Sequence, residues 1–533
     1  MRGADFPLCG KLRVWLAKSG DRKALPVTPQ SEKKMEMVRG LQPRLNCNEK
    51  ERRTVNIEIT GESERMTQTV KKFDWKTFLK SVAVIAIPVA LQNLLTTTGS
   101  MVDTMMLAPL GETTVGAVGL CAQFSSLMFS GYWGFVGGGM LFFAQYWGAK
   151  DEDGICRSYG LTLTCLFSVA AIFSAMALLL PDVVMRLYTD KETIQGIGVQ
   201  YLKTVGFAYL PQIVSVASSS LLRSTERVRI PLYAAVSSVL TNIVLNYILI
   251  YGKLGLPAMG VRGAALATTA AAVVNALVTL ILAGCAGYPF LFRFRKHFAW
   301  DKVHVREYFV KCFPILCNEL LIGVGNMVIN VVLGRQSEEA IAAIAVFRTF
   351  EGLIIGFFAG FSNAASILVG KSVGAGELHD AYERAKRLVY LCGGVVFCIG
   401  MILIAVHTPL LHVMSLQGES FRIGSQILAA YSIIAVIRMC NWMQNDTFRS
   451  AGDAARGTIL EITFMYLMVL PAVCLTGLYF KLPVLAVFLC CYCDEPIRFE
   501  LMQTHLYSGK WIKPVTPQGV AALDAFREEM RKH

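Results

Sequence analysis

Apolar runs fill most of the chain, and polar residues collect in the short stretches between them. Twelve runs are long enough to cross about 30 Å of hydrocarbon as helices of about 20 residues. They lie at 78–107, 113–146, 158–181, 194–222, 231–251, 260–287, 308–334, 338–370, 387–408, 423–448, 457–480 and 483–506. The loops between them separate by charge when taken alternately. One set carries 23 Lys and Arg, among them Lys150, Arg295 and Lys386, and the other carries 7, such as Lys191 and Arg335. Positive loops mark the cytoplasmic face, so the pattern predicts that both termini are cytoplasmic, and an even number of spans agrees with it.

The runs also repeat. At a constant offset of 226 residues Pro88 matches Pro314, Leu94 and Leu95 match Leu320 and Leu321, and Gly99 matches Gly325. Gly134 matches Gly360, Gly148-Ala149 match Gly374-Ala375, and Arg223-Ser224 match Arg449-Ser450. Each copy holds six spans, so both have the same membrane orientation. The fold class is therefore an all-α polytopic membrane protein, twelve helices in two parallel six-helix repeats around a central cavity. The expected divisions are an appendage at 1–65, a first lobe at 66–290, a linker at 291–307, a second lobe at 308–513 and a tail at 514–533.

Composition sharpens this. Of 533 residues 54% are hydrophobic and only 17% charged, and the mean hydropathy is +0.49. A soluble domain carries about 25% charge, so a soluble enzyme is excluded. Residues 1–65 hold 14 Lys and Arg against 9 Asp and Glu, with no apolar period and no function to assign. They read as a disordered tail or as an extension upstream of Met66. The net charge of +13 belongs to this segment and to the cytoplasmic loops, and implies no nucleic acid. The 15 cysteines lie mostly singly inside apolar runs, and Cys490, Cys491 and Cys493 have no neighbouring His, so they read as helix-packing residues.

Polar residues inside the runs are the candidates for chemistry, because a charge at mid-membrane is costly and faces a cavity or a partner. Asp103 in the first span and Glu319 in the seventh are either cation ligands or carboxylates held by local hydrogen bonds. In the repeat Glu319 faces Asn93, and Asp103 faces Ile329, so the halves are built alike but charged differently. Asn242 and Asn246, four residues apart in the fifth span, share a helix face. Arg348 and Glu351 are one turn apart in the eighth span, and Arg438 lies inside the tenth. These three are ion-pair or cavity candidates. Asp446 is expected to cap or pair with Arg449. Asp494 and Glu495 are expected to be satisfied where Pro496 frees backbone groups. Pro88, Pro211 and Pro314 interrupt spans, as hinges or as static kinks.

Several segments resemble the multidrug and toxic compound extrusion (MATE) transporters of bacterial type. In the first half they are Met101-Val102-Asp103-Thr104-Met105-Met106 with Leu110-Gly111, Ala117-Val118-Gly119-Leu120, Asn246-Tyr247-Ile248-Leu249-Ile250-Tyr251-Gly252 and Gly260-Val261-Arg262-Gly263. In the second they are Pro314 with Asn318-Glu319, Gly370-Lys371, Gly374-Ala375-Gly376, Arg449-Ser450-Ala451-Gly452-Asp453 and Ser508-Gly509-Lys510-Trp511. The resemblance spans about residues 73–513. It implies an inner-membrane antiporter that exports organic cations in exchange for Na⁺ or H⁺. It also implies a first-lobe cation site at Asp103, Asn242 and Asn246, and a second-lobe site at Glu319. Some members carry Asp at the position of Asn246, which leaves this chain one charge fewer there. The tenth-span Asp of some members does not map onto Asp446, and Arg223-Ser224-Thr225-Glu226 departs from the Gly-Asp form kept in the second half.

The mechanism expected from these parts is competition. A carboxylate in a low-dielectric cavity binds a proton or Na⁺, a cationic substrate competes for the same charge, and rocking between the repeats exchanges them. No cofactor is required beyond the coupling ion. The expected partners are small cationic substrates and the lipid bilayer, and the expected state is a monomer. A lipid-linked oligosaccharide flippase is the alternative. It would carry clustered intramembrane Arg or Lys, for which only Arg348 and Arg438 offer themselves. A membrane enzyme would need grouped His, Asp or Ser, and His297, His304, His379, His407 and His412 form no such group.

Overall fold

Helices follow the apolar runs of the sequence. The first half is α1 (Trp75–Leu107), α2 (Glu112–Ala149), α3 (Glu152–Leu179), α4 (Glu192–Ser224), α5 (Arg229–Tyr251) and α6 (Val261–Cys285). The second begins with α7 (Lys302–Leu333), α8 (Glu338–Gly374), α9 (Leu378–Val413), α10 (Gly418–Ser450) and α11 (Ala454–Tyr479). These eleven are long and apolar enough to cross a membrane. The computed structural model describes residues 74–532 except Ser415, so the appendage expected at 1–65 lies outside the described residues. No strand occurs among those described.

The twelfth predicted span differs from the continuous run expected at 483–506. It is two helices, α12 (Val484–Cys490) and α13 (Glu495–Ser508), with a turn between them. Pro496 in the first turn of α13 has no N–H to continue the ladder backward, so the helix restarts there. Pro211 acts similarly in α4, where Gly206–Ala208 tighten into a 3₁₀ turn before the helix resumes at Tyr209. Pro88 and Pro314 lie inside unbroken helices. After α13 the tail forms one more helix, α14 (Pro517–Lys532).

The two lobes meet along α1 and α2 of one and α7 and α8 of the other, and the repeat explains how. A Cβ added to Gly134 would lie 2.5 Å from the Leu316 backbone, and one on Gly360 would overlap the Ala86 carbonyl and touch Ala90 at 3.1 Å. Gly134 and Gly360 are repeat mates, and so are Ala90 and Leu316. The same exchange recurs toward the helix ends. A Cβ on Gly148 would overlap the Lys371 carbonyl, and one on Gly374 would overlap that of Gln145. These pairs are again mates. The interface is thus pseudo-two-fold, with glycine wherever backbones approach too closely for a side chain.

Hydrogen bonds joining the lobes fall between mid-depth and the end that carries the Lys- and Arg-rich loops. Asn93 Nδ2 donates to the Gly356 carbonyl at 3.2 Å, and Gln145 Nε2 to that of Ser450 at 2.8 Å. Lys371 Nζ lies 2.8 Å from Glu226. The Tyr308 hydroxyl donates to the Phe135 carbonyl at 3.2 Å and lies within hydrogen-bond distance of Thr162 Oγ1, at 2.8 Å. The tail joins in, with the Val515 N–H donating to Gln145 Oε1 at 2.8 Å. The lobes are fastened at this end.

Candidate functional site

Two polar centres sit inside the helical layers, one in each lobe. In the first, α1 and α5 bring Asp103 and Asn246 together, with Asn246 Nδ2 donating to Asp103 Oδ1 at 2.5 Å. The same nitrogen lies 3.2 Å from Asn242 Oδ1, one turn back on α5. Asn246 is 1% exposed, and its own Oδ1 is buried without a partner. Asp103 is half-buried and has no ion pair among the described residues. Tyr251 on α5 donates to the Met106 carbonyl at 2.7 Å and fixes α5 against the end of α1. Tyr201 on α4 packs against the cluster of Leu107, Ile250 and Ala264 beside this pair. Tyr251 entered the sequence reading only as part of the motif from Asn246 to Gly252, and Tyr201 not at all, because a lone Tyr in an apolar run carries no signal.

The second centre is larger. Glu351 on α8 takes Arg348 Nη1 at 2.6 Å and Arg438 Nη1 at 2.5 Å, so it sits between both candidate arginines. Tyr492 donates to the same carboxylate at 3.1 Å. Arg438 reaches on toward Glu495 at 3.9 Å, and Arg498 pairs with Glu495 at 2.8 Å and Asp494 at 3.4 Å. Asn441 Nδ2 donates to the Glu495 carboxylate at 2.7 Å. Asp494 and Glu495 are therefore satisfied by Arg498 and Asn441, which corrects the expectation that groups freed by Pro496 would serve them. A guanidinium supplies several donors at once where a freed carbonyl supplies none to a carboxylate.

Glu319 stands apart from Arg348 and Arg438. Its nearest cation is Arg449 Nη1 at 3.5 Å, and Asp446 lies 3.4 Å from the same atom. Ser362 Oγ donates to the other Asp446 oxygen at 2.5 Å. Glu461 on α11 completes the group, taking Asn318 Nδ2 at 3.1 Å and Asn445 Nδ2 at 2.9 Å on one oxygen. Sequence reasoning passed over Glu461 and Arg498. Their signal was a charge inside the runs 457–480 and 483–506, the same signal that picked out Asp103. In all, six carboxylates (Glu319, Glu351, Asp446, Glu461, Asp494, Glu495) share four arginines (Arg348, Arg438, Arg449, Arg498). No three His, Cys, Asp or Glu stand close enough to hold a metal among the described residues.

The loop motifs locate the fastened end. Asp453, 3% exposed, meets His505 Nε2 at 3.0 Å and Lys513 Nζ at 2.9 Å. Burial alone would raise its carboxyl, but these two partners hold it below the ordinary value. Gly452 has φ +99° and its Cβ would overlap the Lys513 carbonyl, so the second half needs glycine there. In the first half the chain turns at Glu226, with φ +64°, and Glu226 grips Lys371 of the opposite lobe. The departure from Gly-Asp supplies a bond between lobes.

A two-lobed helical carrier with a repeat and intramembrane carboxylates defines the class. The MatE family model matches residues 88–248 and 314–474, two segments offset by the same 226 residues as the repeat. The chain belongs to the MATE family, whose members are transporters and not enzymes. It is similar to the "Uncharacterized transporter YisQ" of Bacillus subtilis (strain 168), 21% identical over 411 residues covering 77% of this chain and 90% of that protein. It is also similar to the "Probable multidrug resistance protein NorM" of Thermotoga maritima, 23% identical over 440 residues covering 81% and 93%. The crystal structure of a MATE protein in complex with MaL6 superposes with a TM-score of 0.73 at 17% identity, over 81% of this chain and 97% of that one.

Proposed function

We propose that this transporter is a secondary antiporter that exports small organic cations across the inner membrane in exchange for Na⁺ or H⁺. Both termini are cytoplasmic in this reading, and the two lobes rock to expose the cavity alternately to either side. The observation that carries it is the excess of negative charge inside the lobes. Asp103 is matched only by neutral amides, and the six second-lobe carboxylates outnumber their four arginines. A cavity of that sign attracts cations, and the coupling ion and the substrate compete for it. Fastening of the lobes at the end with the basic loops supports reading this arrangement as closed toward the cytoplasm under the positive-inside rule.

A lipid-linked oligosaccharide flippase is favoured by one observation, the presence of four intramembrane arginines where sequence offered two. Arg438, Arg449 and Arg498 each contact carboxylates, and Arg348 is held by Glu351, so a pyrophosphate would meet net negative charge. Ethidium efflux from proteoliposomes under separately imposed Na⁺ and proton gradients tests the proposal. Export driven by one of them supports it. Lack of export under both, with lipid-linked pyrophosphate moved instead, replaces it with the flippase.

A further inference from the structure

We infer that the linker between the lobes, with the start of α7, is a docking site for the headgroup of an anionic phospholipid. Phe294 and Phe298 set into the edge of the hydrocarbon, and Arg295, Lys302 and Arg306 supply the charge. The inference is independent of what the carrier exports. It begins with how firmly the linker is held. His297 is 1% exposed, its Nε2 lies 2.7 Å from the Phe290 carbonyl, and its own carbonyl lies where a Cβ on Gly160 would fall. Phe290 and Leu291 are also buried. Arg293 and Lys296 pair with Glu152 and Asp153 at the start of α3, at 2.6 and 2.5 Å. These groups tie the linker to the first lobe, and the residues between them point outward.

What points outward has two characters. Phe292, Phe294 and Phe298 are 43%, 63% and 65% exposed. On α7 Val303, Val310 and Phe313 are 70%, 62% and 65% exposed, and their spacing puts them on one side of the helix together with Arg306. That side of a span faces lipid. The linker runs directly into it from Phe298 through Trp300, whose rings lie 5.6 Å apart, and Trp belongs at the level of the headgroups. The second character is charge. Residues 289–307 hold five Lys and Arg against Asp301 and Glu307. Glu152 and Asp153 take two of the five, and Arg295, Lys302 and Arg306 remain exposed with no ion pair among the described residues. These three face two acids, of which Glu307 is half-buried. Exposed rings and free basic residues at the rim of an apolar face match a molecule that is apolar at one end and anionic at the other. A nucleic acid or an acidic protein would answer the charge and leave the phenyl rings in water.

The test is thermal unfolding of the purified full-length protein in neutral detergent, titrated with phosphatidylglycerol, phosphatidylcholine or inorganic phosphate. Phosphatidylglycerol is expected to raise the midpoint in a saturable way, phosphatidylcholine to raise it less, and phosphate to leave it unchanged. Arg295→Gln and Arg306→Gln remove charges without orphaning a partner, so the fold is not at risk. Each is expected to weaken the apparent phosphatidylglycerol affinity by about threefold to fivefold. Phe294→Ser is expected to weaken binding of both lipids. Lys510→Gln removes an exposed charge from another loop and is expected to change nothing. Equal effects of the two lipids overturn the inference. So does a phosphate effect that matches phosphatidylglycerol, which would make this a site for free anions. Wild-type affinity in the double variant of Arg295→Gln and Arg306→Gln, or an equal loss in Lys510→Gln, overturns it as well. The readout needs no transport, so a failure of the export reading leaves this result standing.

Discussion

The two lobes share a frame and differ in what they place inside it. Their contacts with one another are exchanged by the repeat, Gly134 with Gly360 and Gly148 with Gly374. Their polar centres are not. Asp103, Asn242 and Asn246 of the first lobe correspond to Ile329, Met468 and Ala472, while Glu319, Asp446 and Glu461 of the second correspond to Asn93, Ser220 and Ala235. Even the shared arginine diverges, for Arg449 meets two acids through Nη1, whereas Arg223 makes no ion pair among the described residues, though each buries an Nε without a partner. In the common frame Asp103 and Glu319 stand ten residues apart, about 15 Å along a helix axis. The repeat thus shares the surface on which the lobes meet but not the depth of its acidic centres.

The sharpest way to break this comparison is at Asp103. Asp103→Asn removes the only intramembrane carboxylate among the described residues of the first lobe with little change of shape, and coupled ethidium efflux is expected to fall by about 100-fold or more at normal expression. Wild-type efflux in this variant would remove the first lobe from coupling. Glu319→Gln is expected to be milder for the fold than for function. Arg449 keeps Asp446 as its partner, so no buried arginine is orphaned, and Asn93 shows that the frame accepts a neutral amide there. Gradient-driven export should be lost while ethidium still binds the purified protein.

The shared surface can be tested by a substitution that spares both centres. Gly148→Val forces a side chain into the Lys371 carbonyl, and overpacking of this kind costs about 1–3 kcal/mol. The expected outcome is a population shifted toward lobes open at that end, read as increased labelling of a cysteine placed at Lys150. Glu226→Gln should do less. The pair it makes with Lys371 is a third or more exposed on each side, and such pairs contribute about 0–1 kcal/mol. The smallest effect concerns His297 in the loop before α7. Burial holds its imidazole below the ordinary value, partly opposed by its contact with the Phe290 carbonyl. A depressed histidine favours the fold above its unfolded value near 6.5 and loses that contribution as pH falls through the folded value. His297→Gln should therefore flatten the fall in thermal stability between pH 7 and pH 5, by no more than about 2 °C.

Much of the fold was legible in the sequence because lipid imposes length and polarity on every span. The repeat was legible because glycines at backbone contacts cannot drift, and Gly134, Gly148, Gly360 and Gly374 all proved to be such contacts. The break at Pro496 was less so, since a proline inside an apolar run reads equally as a kink or as a restart. The candidate centres were visible as single residues only. Asp103 and Glu319 announce themselves as charges in apolar runs, but partners reached across helices do not. Glu319 meets Arg449 rather than Arg348 or Arg438, and Glu351 joins the latter two. Those pairings depend on helix rotation, which no run of hydrophobic residues fixes. The helix α14 and its contact through Val515 to Gln145 were hidden for the same reason.

Competition between coupling cation and substrate for carboxylates in each lobe is the central claim, and equilibrium ethidium binding reads it most directly. The dissociation constant is measured on purified protein across Na⁺ concentration and across pH, for wild type, Asp103→Asn, Glu319→Gln and the double variant. The account predicts that wild-type affinity weakens as Na⁺ or proton concentration rises, that each single variant loses part of this dependence, and that the double variant loses nearly all of it while still binding dye. A wild-type affinity indifferent to both ions, or a double variant that keeps the wild-type dependence, would contradict it.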